Sequence, residues 1–97
     1  DKSGVTPGEV LPAAELYGDM LRQASLYNEA LIAYEMTLTR APGRYNSLYG
    51  AGKAALALDD KETAKKYFSL LVDNAKGGKS DRVSLTDART TLASLIN

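Results

Sequence analysis

The chain has 97 residues, 44% of them hydrophobic and 25% charged, which suits one globular domain with a modest core. Its 12 lysines and arginines balance 12 aspartates and glutamates, so net charge draws it neither to nucleic acid nor to an anionic membrane. The absence of cysteine excludes disulfide and thiolate chemistry. No apolar run approaches the roughly 20 residues of a membrane span, and we expect a soluble protein whose compartment the sequence leaves open.

Apolar residues recur at helical intervals from the beginning of the chain. Residues 1–10 contain two glycines and a proline, and we expect an irregular lead there. The first helix is predicted from about Pro12 to Gln23, because a proline is tolerated in the first turn. A second helix is predicted to follow Asn28, a candidate amino-terminal cap, and to end before Pro42.

A second pair of helices is predicted from the same signals. Asn46 is expected to cap a third helix that runs to Leu58. Asp59 and Glu62 have the spacing of a capping box, which predicts the start of a fourth helix. This pair therefore follows the first pair after a short connection.

A fifth helix is predicted near the carboxyl terminus. The sequence "KGGK" at residues 76–79 breaks the helical pattern. Beyond it, Ser84 and Asp87 have capping-box spacing, and apolar residues again follow at helical intervals. Because no segment alternates as a strand does, we predict an all-α fold of five helices.

The two helix pairs are related by a shift of 34 residues, the repeat shift, which places Gly18 over Gly52. We expect Gly18 to face Ala30 and Gly52 to face Ala64, because small residues let two helix backbones approach closely. The repeat shift also aligns aromatic and aliphatic positions: Tyr17 with Ala51, Leu21 with Ala55, and Tyr34 with Phe68. We expect the aromatic residues among these in the core.

Three segments carry a resemblance to a known family: "AELYGDML", "YNEALIAYEMTLTRAP" and "LYGAGKAALALDDKETAKKYFSLL". Their order of leucine and glycine, then alanine, aromatic residue and proline, resembles the tetratricopeptide repeat (TPR) family. The resemblance implies an α-solenoid of two antiparallel helix-turn-helix repeats, residues 11–44 and 45–78, with a capping helix at residues 79–97. The chain also resembles the closing repeats of larger bacterial TPR proteins.

The resemblance further implies a binding function, because the first helices of TPR units line a concave groove that accepts a peptide or a partner helix. The groove positions carried over to this chain are Glu15, Asp19, Arg22, Gln23, Asn46, Tyr49, Lys53 and Leu56. Since Glu15 and Asp19 are carboxylates, we expect a protein or peptide ligand that is basic or rich in amides. Tyr49 would offer an aromatic platform and Lys53 one countercharge.

Two other functions are weighed against this one. Glu15 and Asp19 also have the spacing of a catalytic or metal-binding pair. Without histidine or cysteine nearby, we interpret them as part of a solvated helix face, where Glu15→Gln would barely alter stability, and expect no enzyme and no cofactor. The alternative function is structural: the chain closes a longer TPR array or pairs with a copy of itself, since two repeats are fewer than the about three that usually suffice for stability.

Overall fold

The computed structural model describes residues 7–75 and 82–96, and these residues form five α-helices without any strand. The helices are α1 (Pro7–Gln23), α2 (Tyr27–Arg40), α3 (Tyr45–Ala57), α4 (Lys61–Ala75) and α5 (Arg82–Ile96). Each helix packs against the next one along the chain, and α1 also contacts α3. The predicted all-α class with five helices is confirmed.

Helix α1 begins at Pro7 instead of Pro12, so residues 7–10 are helical and the predicted irregular lead is wrong there. Pro7 takes the first helical position, where its missing N–H costs no bond within the helix. The proline in the first turn of α1 is therefore Pro7 and not Pro12. Residues 1–6, the rest of the predicted lead, lie outside the described residues, as does the predicted break at 76–79.

The predicted caps of α2 and α3 are wrong, because Asn28 and Asn46 lie inside these helices. The residues at the amino-terminal caps are Leu26 and Arg44, and neither makes a capping bond with its side chain. At α2 the turn closes directly into the helix, because the Leu26 N–H donates to a carbonyl of α1 at 2.9 Å.

Asp60, and not Asp59, caps α4. The Asp60 carboxylate accepts hydrogen bonds from the Thr63 backbone N–H at 3.2 Å and from the Thr63 hydroxyl at 2.7 Å. Asp59 instead ends α3 with a left-handed backbone, φ 63°, which moves the cap one residue later. Ser84, predicted to cap α5, lies within that helix and is buried.

The turns inside the two helix pairs share one backbone conformation. Ser25 has φ 65° and Asp59 has φ 63°, and the repeat shift aligns these two residues. The next residue in each turn donates its N–H to a carbonyl of the preceding helix at 2.9 Å: Leu26 to Leu21, and Asp60 to Ala55. The repeat relationship seen in the sequence therefore extends to the backbone of the turns.

The core contains the aromatic and alanine positions that the repeat shift aligned. Tyr34, Phe68, Ala30 and Ala64 are fully buried, as predicted. The prediction for Tyr17 is wrong, because its side chain is 58% exposed. The side of α1 that carries Tyr17 is left uncovered by the described helices.

Three glycines make room for aromatic rings. A Cβ added at Gly18 would lie 2.9 Å from the Tyr34 ring, and one at Gly52 would lie 2.7 Å from the Phe68 ring. The side chains nearest to Gly18 and Gly52 are therefore the rings of Tyr34 and Phe68. We had predicted Ala30 and Ala64 at these places. A Cβ at Gly50 would lie only 2.2 Å from the Tyr34 ring, so the ring contacts both α1 and α3 and joins the two helix pairs.

Candidate peptide-binding face

The eight predicted groove residues differ in what their side chains do. Gln23 and Asn46 are exposed, and Leu56 is partly buried against the core. The other five form hydrogen bonds or ion pairs inside the chain: Glu15, Asp19, Arg22, Tyr49 and Lys53. The geometry of these internal contacts decides what the face offers to a ligand.

The hydroxyl of Tyr34 holds two of the predicted residues together. It donates a hydrogen bond to Oδ1 of Asp19 and accepts one from Nε of Arg22 at 3.1 Å. Burial, together with the bond to Asp19, raises the pKa of Tyr34 to about 12 against the opposing effect of Arg22. The hydroxyl therefore stays protonated at neutral pH, and the Asp19 carboxylate is engaged within the chain.

Glu15 is buried, which contradicts its interpretation as part of a solvated face. Its Oε2 accepts a hydrogen bond from Nε of Arg44 at 2.9 Å and one from Oγ of Ser47 at 2.5 Å. The Ser47 hydroxyl in turn lies 2.6 Å from the hydroxyl of Thr37 on α2. Glu15 therefore ties α1 to the start of α3 and presents little charge to a ligand.

Tyr49 and Lys53 both contact Asp87 of α5. The Tyr49 hydroxyl donates to Oδ2 of Asp87 at 2.6 Å, and Nζ of Lys53 lies 3.3 Å from the same oxygen. The bond from Tyr49, reinforced by Lys53 and opposed by burial, lowers the pKa of Asp87. The predicted aromatic platform and countercharge are thus partly occupied by the last helix.

A hollow of about 290 Å³ opens beside these contacts, and we call it the basic hollow. Its lining residues come from α1, α2 and α3: Arg22, Tyr27, Lys53, Leu56 and Ala57. Three of them were predicted groove residues, and none is a carboxylate. The lining therefore contains an aromatic ring, an apolar wall and two cations, each with one partner inside the chain: Lys53 pairs with Asp87, and Arg22 bonds Tyr34.

The sequence analysis did not identify the residues that form hydrogen bonds or ion pairs with the predicted groove residues. Arg44 and Ser47 were not singled out, and Asp87 was interpreted only as part of a capping box. The one available signal was the polar character of Thr37 and Ser47 at otherwise apolar helix positions, because a buried polar side chain needs a partner.

Residues 7–75 and 82–96 contain no group of three or more acidic, histidine or cysteine side chains that could hold a metal ion. Within the same ranges, each helix is too short or too polar to cross a bilayer.

Comparison with known proteins returned no match among protein-family models, curated proteins or solved structures.

Proposed function

We propose that the chain is a protein- or peptide-binding module that acts through the groove of two TPR-like helix pairs, and that its ligand is an acidic segment. The observation that carries this proposal is the basic hollow, which Arg22 and Lys53 line without a carboxylate. The two groove carboxylates that favoured a basic ligand, Glu15 and Asp19, are engaged by internal donors. This changes the sign of the ligand charge that we expected from the sequence.

The cations of the basic hollow have donors suited to a carboxylate. Arg22 bonds Tyr34 through Nε, and its planar guanidinium carries further N–H groups that can pair with both oxygens of a carboxylate. The Lys53 side chain is 34% exposed, and its ammonium has donors besides the one directed at Asp87. Tyr27 and Leu56 add an apolar wall for the side chains that flank the acidic group.

The test is a titration of the full chain with two labelled peptides of equal length, one rich in aspartate and glutamate and one rich in lysine. We expect the acidic peptide to bind and the basic one not to bind. Lys53→Glu should lower the affinity for the acidic peptide by about tenfold or more, and tenfold corresponds to about 1.4 kcal/mol. Lys61→Glu makes the same charge change at an exposed position of α4 and should leave binding unchanged.

Equal binding of the two peptides would contradict the proposal. So would a loss of affinity in Lys61→Glu as large as that in Lys53→Glu, because the effect would then come from net charge and not from the basic hollow.

The second candidate function is structural: the chain closes a longer array of helix pairs or pairs with a copy of itself. The observation that favours it is the exposure of Leu16, Tyr17 and Met20 on α1, each more than half exposed. A melting temperature that rises with protein concentration and does not change when either peptide is added would support this function.

A further inference from the structure

The last helix corresponds in the repeat to the first helices of the two pairs. Helix α5 packs against α4, and α3 likewise packs against α2. The repeat shift aligns Ser84 of α5 with Gly50 of α3, and it aligns Ala88 with Ala54. All four of these residues are buried. By this alignment α5 follows α1 and α3 as a third first helix.

Asp87 lies at a groove position of α5. The repeat shift aligns it with Lys53, a predicted groove residue that lines the basic hollow. Its Oδ2 lies 3.3 Å from Nζ of Lys53 and accepts a hydrogen bond of 2.6 Å from the Tyr49 hydroxyl. The Asp87 carboxylate is thus bound to the ammonium group that the proposed acidic ligand would use.

The two cations of the basic hollow differ in the charge of their partners. Arg22 bonds a neutral group, the Tyr34 hydroxyl, at 3.1 Å, whereas Lys53 pairs with a carboxylate. The bond from Tyr49, opposed by burial and reinforced by Lys53, lowers the pKa of Asp87 below its ordinary value. Asp87 is therefore an anion at neutral pH, and it meets Lys53 with the same chemical group as an acidic ligand.

The pair between Lys53 and Asp87 opens at low cost. The two side chains are 34% and 35% exposed, and ion pairs with this access to water contribute little to stability. The contacts that hold α5 to the core are separate from this pair, because they involve the buried Ala88 and the partly buried Leu85 and Leu92. A ligand carboxylate can therefore replace that of Asp87 while α5 stays packed.

We propose that Asp87 is an intramolecular competitor of the acidic ligand. Its carboxylate occupies Lys53 in the unliganded chain and is displaced from Lys53 when a ligand carboxylate enters the basic hollow. Asp87 thus lowers the affinity for acidic segments that use Lys53 without excluding them. This inference rests on the proposed function, because it assigns a regulator to the same site.

The test is a titration of the labelled acidic peptide with the full chain at about 0.15 M salt, where screening limits charge effects to about 8 Å. Asp87→Asn should raise the affinity by about twofold to fivefold, the range that an exposed ion pair provides. In a chain that also carries Lys53→Gln, the same substitution should give no gain, because the ammonium group for which Asp87 competes is absent.

Two further variants accompany these. Asp87→Ala removes the same carboxylate with a residue that favours a helix, and it should give the same gain as Asp87→Asn. Glu62→Gln is the control, because it removes one negative charge at an exposed position of α4. It should leave the affinity unchanged, and circular dichroism should show all variants equally helical.

A peptide that binds the unchanged chain and Asp87→Asn equally would overturn the competitor role and leave the acidic ligand standing. An equal gain in Glu62→Gln, or in the chain without Lys53, would also overturn it, since the effect would then come from net charge. Loss of helicity in both Asp87 variants would show that Asp87 holds the fold instead. If the peptide binds none of these chains, the proposed function itself fails and the competitor role with it.

Discussion

The ring of Tyr34 fills the space in which Gly50 has no side chain: an added Cβ would come within 2.2 Å of the ring. Because Tyr34 belongs to α2 and Gly50 to α3, this contact sets how closely the two helix pairs approach. The same ring also meets Gly18 on α1, where the corresponding distance is 2.9 Å.

Gly50→Ala should lower the free energy of unfolding more than Gly18→Ala. Overpacking against a buried ring costs about 1–3 kcal/mol, and alanine returns about 1 kcal/mol through its better helix propensity. We expect a net loss for Gly50→Ala and a change near zero for Gly18→Ala, measured by urea denaturation. The reverse order would contradict the assigned position of the Tyr34 ring.

Glu15→Gln should destabilise the protein by about 1–3 kcal/mol, because the amide loses the charge-assisted bond from Arg44. The sequence alone led us to expect almost no change. Glu29→Gln makes the same substitution at an exposed position of α2 and should stay within about 0.5 kcal/mol. Equal unfolding midpoints for the two variants would show that the buried contacts of Glu15 contribute nothing.

Stability should fall at acid pH in part because of Asp87. The bond from Tyr49 and the nearby Lys53 lower its pKa below the ordinary value of 3.8. A carboxylate with a pKa depressed on folding stabilises the native state above its unfolded pKa, and this contribution disappears as pH falls through the folded pKa. The difference in unfolding free energy between the unchanged chain and Asp87→Asn should therefore shrink below about pH 4. A difference that is constant from neutral to acid pH would argue against this contact.

Alkaline pH should destabilise the fold through Tyr34 and Tyr67. Burial is the first cause of the raised pKa of both, and it combines with a bond to Asp19 for Tyr34 and to Glu35 for Tyr67. A pKa raised on folding gives stability that is complete below the ordinary value of 10.0 and is lost as pH rises further, to about 12 for Tyr34.

Tyrosinate absorbance provides the measurement. Of the six tyrosines, the titration of Tyr34 and Tyr67 should coincide with unfolding and not precede it. Tyr34→Phe and Tyr67→Phe should each remove one late-titrating group. If all six ionise together near pH 10, before helicity is lost, the buried hydroxyl bonds are absent in solution.

Local patterns were sufficient to predict the five helices and the burial of Tyr34 and Phe68, because periodicity over one or two turns marks the side of a helix that faces a core. Periodicity does not show whether anything covers a second apolar side. Tyr17 was therefore placed in the core, whereas its side chain is exposed.

The candidate site was harder to predict, because its polar contacts join residues far apart in the chain. Glu15 finds its partners Arg44 and Ser47 at separations of 29 and 32 residues. Asp87 is 38 residues from Tyr49. The sequence predicted eight groove residues, but it did not show which of their charges are paired with such distant partners.

The left-handed turns at Ser25 and Asp59 offer a way to strengthen the protein, at the loss of one hydrogen bond of 3.4 Å from the Tyr27 hydroxyl to Ser25. A residue with a side chain is strained in this conformation by about 1 kcal/mol, and glycine is not. A chain with glycine at both positions would have a larger free energy of unfolding. Destabilising substitutions elsewhere could then be compared while every variant stays folded. Glycine at these two aligned turns should therefore raise the melting temperature without any new packing contact.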